Sequence, residues 1–208
     1  MIKNTLTLLL TIMCSYAHLI AQITCAPVFP TADDDITLTY DASQGSRGLA
    51  GFTGAVYGHF GAVIASPTST AWTNVQGTWG VDFPRTRMTS IGNDKYTISF
   101  NIRTFFGVAA GTPIYRIGCV FRNVDGSKEG KNAANADMFY DITQPGQTIQ
   151  TRIITPFAAS QLLNIGGTIA FKGSASQNAT LTLKDNGVQI ATTSNVRELT
   201  NTVTAFPG

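Results

Sequence analysis

The chain has 208 residues, of which 12% are charged and 43% hydrophobic, with 20 glycines and a formal charge of +2. That is the composition of an exported β-protein rather than a helical one, and near-neutral charge without a basic cluster excludes an electrostatic case for nucleic acid. The length allows one large domain or two small ones, each able to bury a core.

Met1-Ile2-Lys3-Asn4 gives a short positive start, and residues 6–21 form an apolar run of signal-peptide length. That run is too short for a membrane-spanning helix. Residues 1–21 are therefore expected to be a signal peptide cleaved after Ala21. The mature chain is expected to be secreted or at the cell surface, without a membrane partner. Cys14 leaves with that segment. Cys25 and Cys119 remain, and an oxidising compartment invites a disulfide between them. Against this, Ile117, Cys119 and Phe121 alternate with Arg116, Gly118 and Val120, which places Cys119 on an apolar face as a buried free thiol. Both readings stay open. No CxxC pair accompanies His59, the one histidine of the mature chain, so no metal or other cofactor is expected.

In chain order, residues 36–40 alternate as a strand after Pro27, Pro30 and an Asp33-Asp34-Asp35 turn. Residues 45–54 read as a loop. In residues 56–61, VYGHFG, side chains of a strand point alternately to opposite faces. Val56 and Phe60 then belong to the core, and Tyr57 and His59 to the other face. Trp72 and Trp79 follow in Gly/Thr/Asn/Ser-rich sequence that reads as loop or loop-edged strand. They are either exposed ring platforms or core anchors, since tryptophan is usually largely buried. Residues 88–91 lead into the Gly92-Asn93-Asp94 turn. Residues 95–100 follow with Tyr96, Ile98 and Phe100 on one face. Residues 113–122 form another strand, residues 124–135 a polar loop, and residues 138–142 a closing strand. No segment of ten or more residues carries a helical period. Short strands separated by turns predict an antiparallel β-sandwich over residues 22–143.

Gln144-Pro145-Gly146-Gln147 marks a boundary. Residues 144–208 are expected to form a second, immunoglobulin-like β unit that is incomplete, with about four or five strands where such a sandwich has about seven. Residues 167–171 and 179–184 alternate, and Asn186-Gly187 predicts a two-residue type I′ hairpin, with Leu183 opposite Ile190. Ile169, Phe171, Leu181, Leu183, Val188 and Ile190 would supply its apolar face.

The chemistry of catalysis is thinly represented. A Ser-His-Asp triad would have to use His59, and no serine sits in a GxSxG elbow. Glycoside hydrolysis needs a paired acid and base, whereas the two glutamates are Glu129, in a polar loop, and Glu198, in the second unit. The aspartates sit in turns, where side chain to backbone bonding is their ordinary role. The spacing of Asp33, Asp34 and Asp35 matches no EF-hand calcium loop. The chain is thus expected not to be an enzyme by itself.

The order VYGHFG, a tryptophan-containing loop, MTSIGNDKYTISFNI and VFRNVDGSKEGKNAANADMF resembles starch-binding β-sandwich modules of the family 25 and 26 carbohydrate-binding type. More closely, residues 27–142 resemble the N-terminal domain of secreted α-amylase-type glycoside hydrolases of polysaccharide-degrading Gram-negative bacteria. The resemblance implies aromatic stacking on glucose rings at the positions of Tyr57, His59 and Trp72, with Trp79 a further candidate. It implies an α-glucan partner such as starch or glycogen, and a catalytic barrel beyond the second unit. The chain departs from the pattern after the Asp125-Gly126 turn, where Lys128-Glu129 stands in place of a tryptophan. The reading is a monomeric, non-catalytic α-glucan-binding accessory region. The alternative is a structural or adhesion module of a secreted surface protein.

Overall fold

A computed structural model describes residues 22–155, 166–185 and 187–204. The expected signal peptide, Asn186 of the hairpin turn and residues 205–208 lie outside the described residues. Twelve strands are described: β1 (Ile23–Ala26), β2 (Asp35–Asp41), β3 (Tyr57–Val63), β4 (Thr73–Gln76), β5 (Thr89–Gly92), β6 (Lys95–Asn101), β7 (Arg116–Arg122), β8 (Glu129–Gly130), β9 (Met138–Asp141), β10 (Thr151–Thr155), β11 (Thr168–Asp185) and β12 (Val188–Thr204). One helix, α1 (Ile102–Phe106), and a 3₁₀ turn at Pro84–Thr86 complete the described elements. The fold is an all-β sandwich.

One sheet runs β1-β2-β6-β5. The facing sheet runs β4-β3-β7-β8, with β9 also paired to β7. All pairings are antiparallel. Between β5 and β6, Asn93 and Asp94 both take positive φ, 52° and 57°, as a type I′ turn requires. The inward residues of both sheets form one core. Phe60, fully buried, meets Phe100, Phe105 and Phe121 at centroid distances of 5.9, 6.0 and 5.9 Å. Tyr40 stacks on Phe121 at 3.9 Å. Phe105 and Phe106 reach this core from α1, which is short and capped at both ends. The Asn101 side chain accepts from the Thr104 N–H at 3.1 Å, and Gly107 closes the turn at φ 63°.

Three features differ from the sequence reading. Strand β1 precedes Pro27, where residues 23–26 are too short to show a period. They pair with β2 and bury Cys25. A two-residue strand, β8, interrupts the polar loop over residues 124–135. In the second unit the described residues form three strands rather than four or five, in the order β10-β11-β12. Two of these strands are a single long hairpin. A bulge between Leu183 and Lys184 shifts its register, so Leu183 pairs with Ala191 and not with Ile190. Val188 and Ile190 are 67% and 40% exposed, so they do not face a core. The hairpin is fastened to the first unit by Arg197, which donates to Asp34 Oδ2 at 2.8 Å and to the Phe29 carbonyl.

Cys25 and Cys119 are both free and buried, so the thiol reading holds. Burial pushes the Cys25 thiol up to about 12 and the Cys119 thiol up as well. Neither offers a thiolate at neutral pH. Asp33 pairs with Arg103, and Asp34 with Arg197 and the Thr31 N–H. No group of three or more potential metal ligands occurs among the described residues.

Candidate functional site

The outer face of the β3/β7 pair carries a second aromatic cluster, separate from the core. Register sets it out in three rows: Tyr57 opposite Arg122, His59 opposite Val120, and Gly61 opposite Gly118. The third row continues to Phe139 on β9. Two facing glycines leave a flat patch of backbone, and the Trp72 indole lies across it. A Cβ built on Gly118 would stand 2.5 Å from Trp72 Nε1, and one on Gly61 would stand 2.7 Å from Trp72 Cβ. Glycine in mid-strand commonly marks such a close approach. Trp72 is thereby half-buried, face down, with Phe139 edge-on at 6.3 Å. Its Nε1–H is buried without a protein acceptor.

Trp79 stands at the other end of the face and is 42% exposed. It rests on the Asp125-Gly126 turn, where a Cβ on Gly126 would meet Trp79 Nε1 at 2.5 Å. Gly126 also has φ 74°, so two independent constraints select glycine there. His59 lies between the indoles, 6.0 Å from Trp72 at 38° and 5.4 Å from Trp79 at 89°. The two indole planes are therefore inclined to each other by no less than the difference of those angles, about 51°. Gly77, at φ 96°, gives His59 its room. A Cβ there would stand 3.1 Å from the Gly58 carbonyl and 3.5 Å from His59 Nδ1. Burial, and then the Arg122 charge, lower the His59 pKa from its ordinary value, so the imidazole is neutral at pH 7.

Tyr57 is 1% exposed, which corrects the expectation that it shares the open surface. Alternation assigns it to the outer face, but the chain from Thr78 to Asp82 folds over that end of the face. The Tyr57 hydroxyl donates to Asp82 Oδ1 at 2.8 Å. Burial, and then this acidic partner, push the phenol pKa up, so Tyr57 stays a donor.

Arg122 completes the arrangement and has no forerunner in the sequence reading. It is fully buried. Its Nη1 donates to the carbonyls of Asn123 and Val124 at 2.9 and 2.8 Å, and its Nη2 to those of Thr78 and Val81 at 2.6 and 2.8 Å. The guanidinium also stands 5.2 Å from the Tyr57 ring centroid and 5.8 Å from that of Trp79, within cation–π range. The structure thus brings Trp72, His59 and Trp79 onto one surface. It buries Tyr57 beside them at the Arg122 end of the same face and adds Arg122, Gly61, Gly118 and Gly126 as the residues packed against the rings. Gly61 and Gly118 could have been found as glycines inside strand patterns. The clustering of Arg122 with Thr78 and Val81 had no local signal.

A family model described as a domain of unknown function (DUF8578) matches residues 23–129, just over half of the chain, and the chain belongs to that family. The match spans β1 to the start of β8 and so includes Trp72, His59, Trp79 and Arg122. No curated protein matches the chain.

Proposed function

We propose that residues 22–143 bind α-glucan, such as starch or glycogen, without catalysis, through Trp79, Trp72 and His59. The chain would be exported, and its role would be that of an accessory region of a secreted α-amylase-type glycoside hydrolase. Binding would hold the attached enzyme at its polymer and raise the local substrate concentration.

The observation that carries this reading is the inclination of the two indoles by at least about 51°. An α-linked glucan curves, so successive rings present faces at an angle to one another. A flat β-linked ribbon needs coplanar platforms. The resemblance of residues 27–142 to starch-binding modules points to the same polymer. The neutral imidazole suits an uncharged ligand.

A shallow platform with two stacking rings buries little surface, so the dissociation constant is expected to be roughly micromolar to millimolar. Affinity electrophoresis of the mature chain in gels with soluble starch, hydroxyethyl cellulose and no polymer tests this. Retardation in starch alone is expected. Equal mobility in all three gels would remove the reading and favour a structural or adhesion module.

A further inference from the structure

We propose that Arg122 is the positioning residue of this surface, presetting the Trp79 indole before any ligand arrives. The inference rests on the reading of Trp79 as a sugar platform. The two carbonyls held by Nη2 belong to Thr78 and Val81, which bracket Trp79-Gly80 on both sides. The two held by Nη1 belong to Asn123 and Val124, which open the turn whose Gly126 lies under the indole. One planar, permanently charged group therefore ties the segment that carries the ring to the segment on which the ring rests. Lysine cannot do this, because a single ammonium lacks the fixed fork of five donors.

The remaining links run in the same direction. Tyr57 lies against Arg122 and fastens Asp82, three residues beyond Trp79, through its hydroxyl. A 42% exposed tryptophan in a glycine-rich turn would otherwise sample several rotamers and lose that freedom on binding. Ordering one such side chain at binding weakens affinity roughly three- to tenfold. The latch removes this loss by ordering the ring in the free protein.

The test uses the full mature chain with Trp72→Phe, which leaves Trp79 as the only tryptophan. Time-resolved fluorescence anisotropy is recorded without ligand, with and without Arg122→Lys. Tyr57→Phe, which removes one hydroxyl and its bond to Asp82, is the second variant in case Arg122→Lys fails to fold. Faster and larger local depolarisation of Trp79 is expected in each folded variant. In chains that retain Trp72, retardation in starch gels is expected to weaken roughly three- to tenfold. Unchanged Trp79 anisotropy in every variant that folds would overturn the proposal. Loosened Trp79 in the variants, with no starch retardation in any chain including the parent, would support the positioning role and reject the glucan reading alone.

Discussion

Phe60→Ala is expected to cost about 3–5 kcal/mol of folding stability. Phe60 is fully buried and meets three other phenylalanine rings, so its removal leaves a cavity that neighbours from both sheets cannot fill. Tyr57→Ala is expected to cost a similar amount, although the two residues point to opposite faces of β3. Tyr57 is 1% exposed, and its loss opens a ring-sized cavity beside the buried Arg122 guanidinium and removes the hydroxyl bond to Asp82. Against a total stability of about 5–15 kcal/mol, either change brings the domain near unfolding. Urea denaturation followed by circular dichroism gives both values. A Tyr57→Ala chain as stable as its parent would show that Tyr57 is an open surface residue after all.

Gly118→Ala is expected to act on the site more than on the core. The added methyl would stand 2.5 Å from the Trp72 ring, where a Cβ on the neighbouring Gly61 would already stand 2.9 Å from Trp72 Cε3. Overpacking of this kind costs about 1–3 kcal/mol. The lowest-cost relief is for Trp72 to lift from the sheet into solvent, because one face of the ring has no strand over it. Tryptophan emission should then shift to the red, and starch binding should fall roughly tenfold or more as the first platform is lost. Unchanged emission and unchanged retardation would mean that Trp72 does not lie on the glycine pair.

The contrast between Phe60 and Tyr57 marks how far the sequence could be read. Alternation placed Val56 and Phe60 in the core correctly, because a period of two is a local property of the strand. It also placed Tyr57 and His59 on the opposite face. Whether that face is open depends on Thr78 to Asp82 and on Arg122, which approach from distant parts of the chain. For His59 the cover is partial, and for Tyr57 it is complete. The alternatives for the tryptophans were resolved by the same non-local fact. Neither belongs to the core cluster. Trp72 is half-buried only because two glycines, 57 positions apart in the chain, meet across β3 and β7.

The second unit was less legible for a different reason. The apolar alternation of β11 breaks at Gly173-Ser174-Ala175-Ser176, where the strand bends and changes register. Small buried residues there keep the chain extended without supplying a hydrophobic period. One long strand therefore read as two short ones. The bulge beside Leu183 is likewise invisible to a turn rule, which fixes register only next to the turn.

The most direct test of the central claim uses the two indole N–H groups as reporters. A ¹H–¹⁵N spectrum of the mature chain should show two indole signals, one from Trp72 and one from Trp79. Titration with maltoheptaose should move both, together with backbone signals of Gly77, Gly80 and Gly126, and should leave the outer face of the β1-β2-β6-β5 sheet unchanged. Cellohexaose at the same concentrations should move neither indole. If both indole signals stay fixed at saturating maltoheptaose, or respond equally to cellohexaose, the inclined pair is not an α-glucan platform.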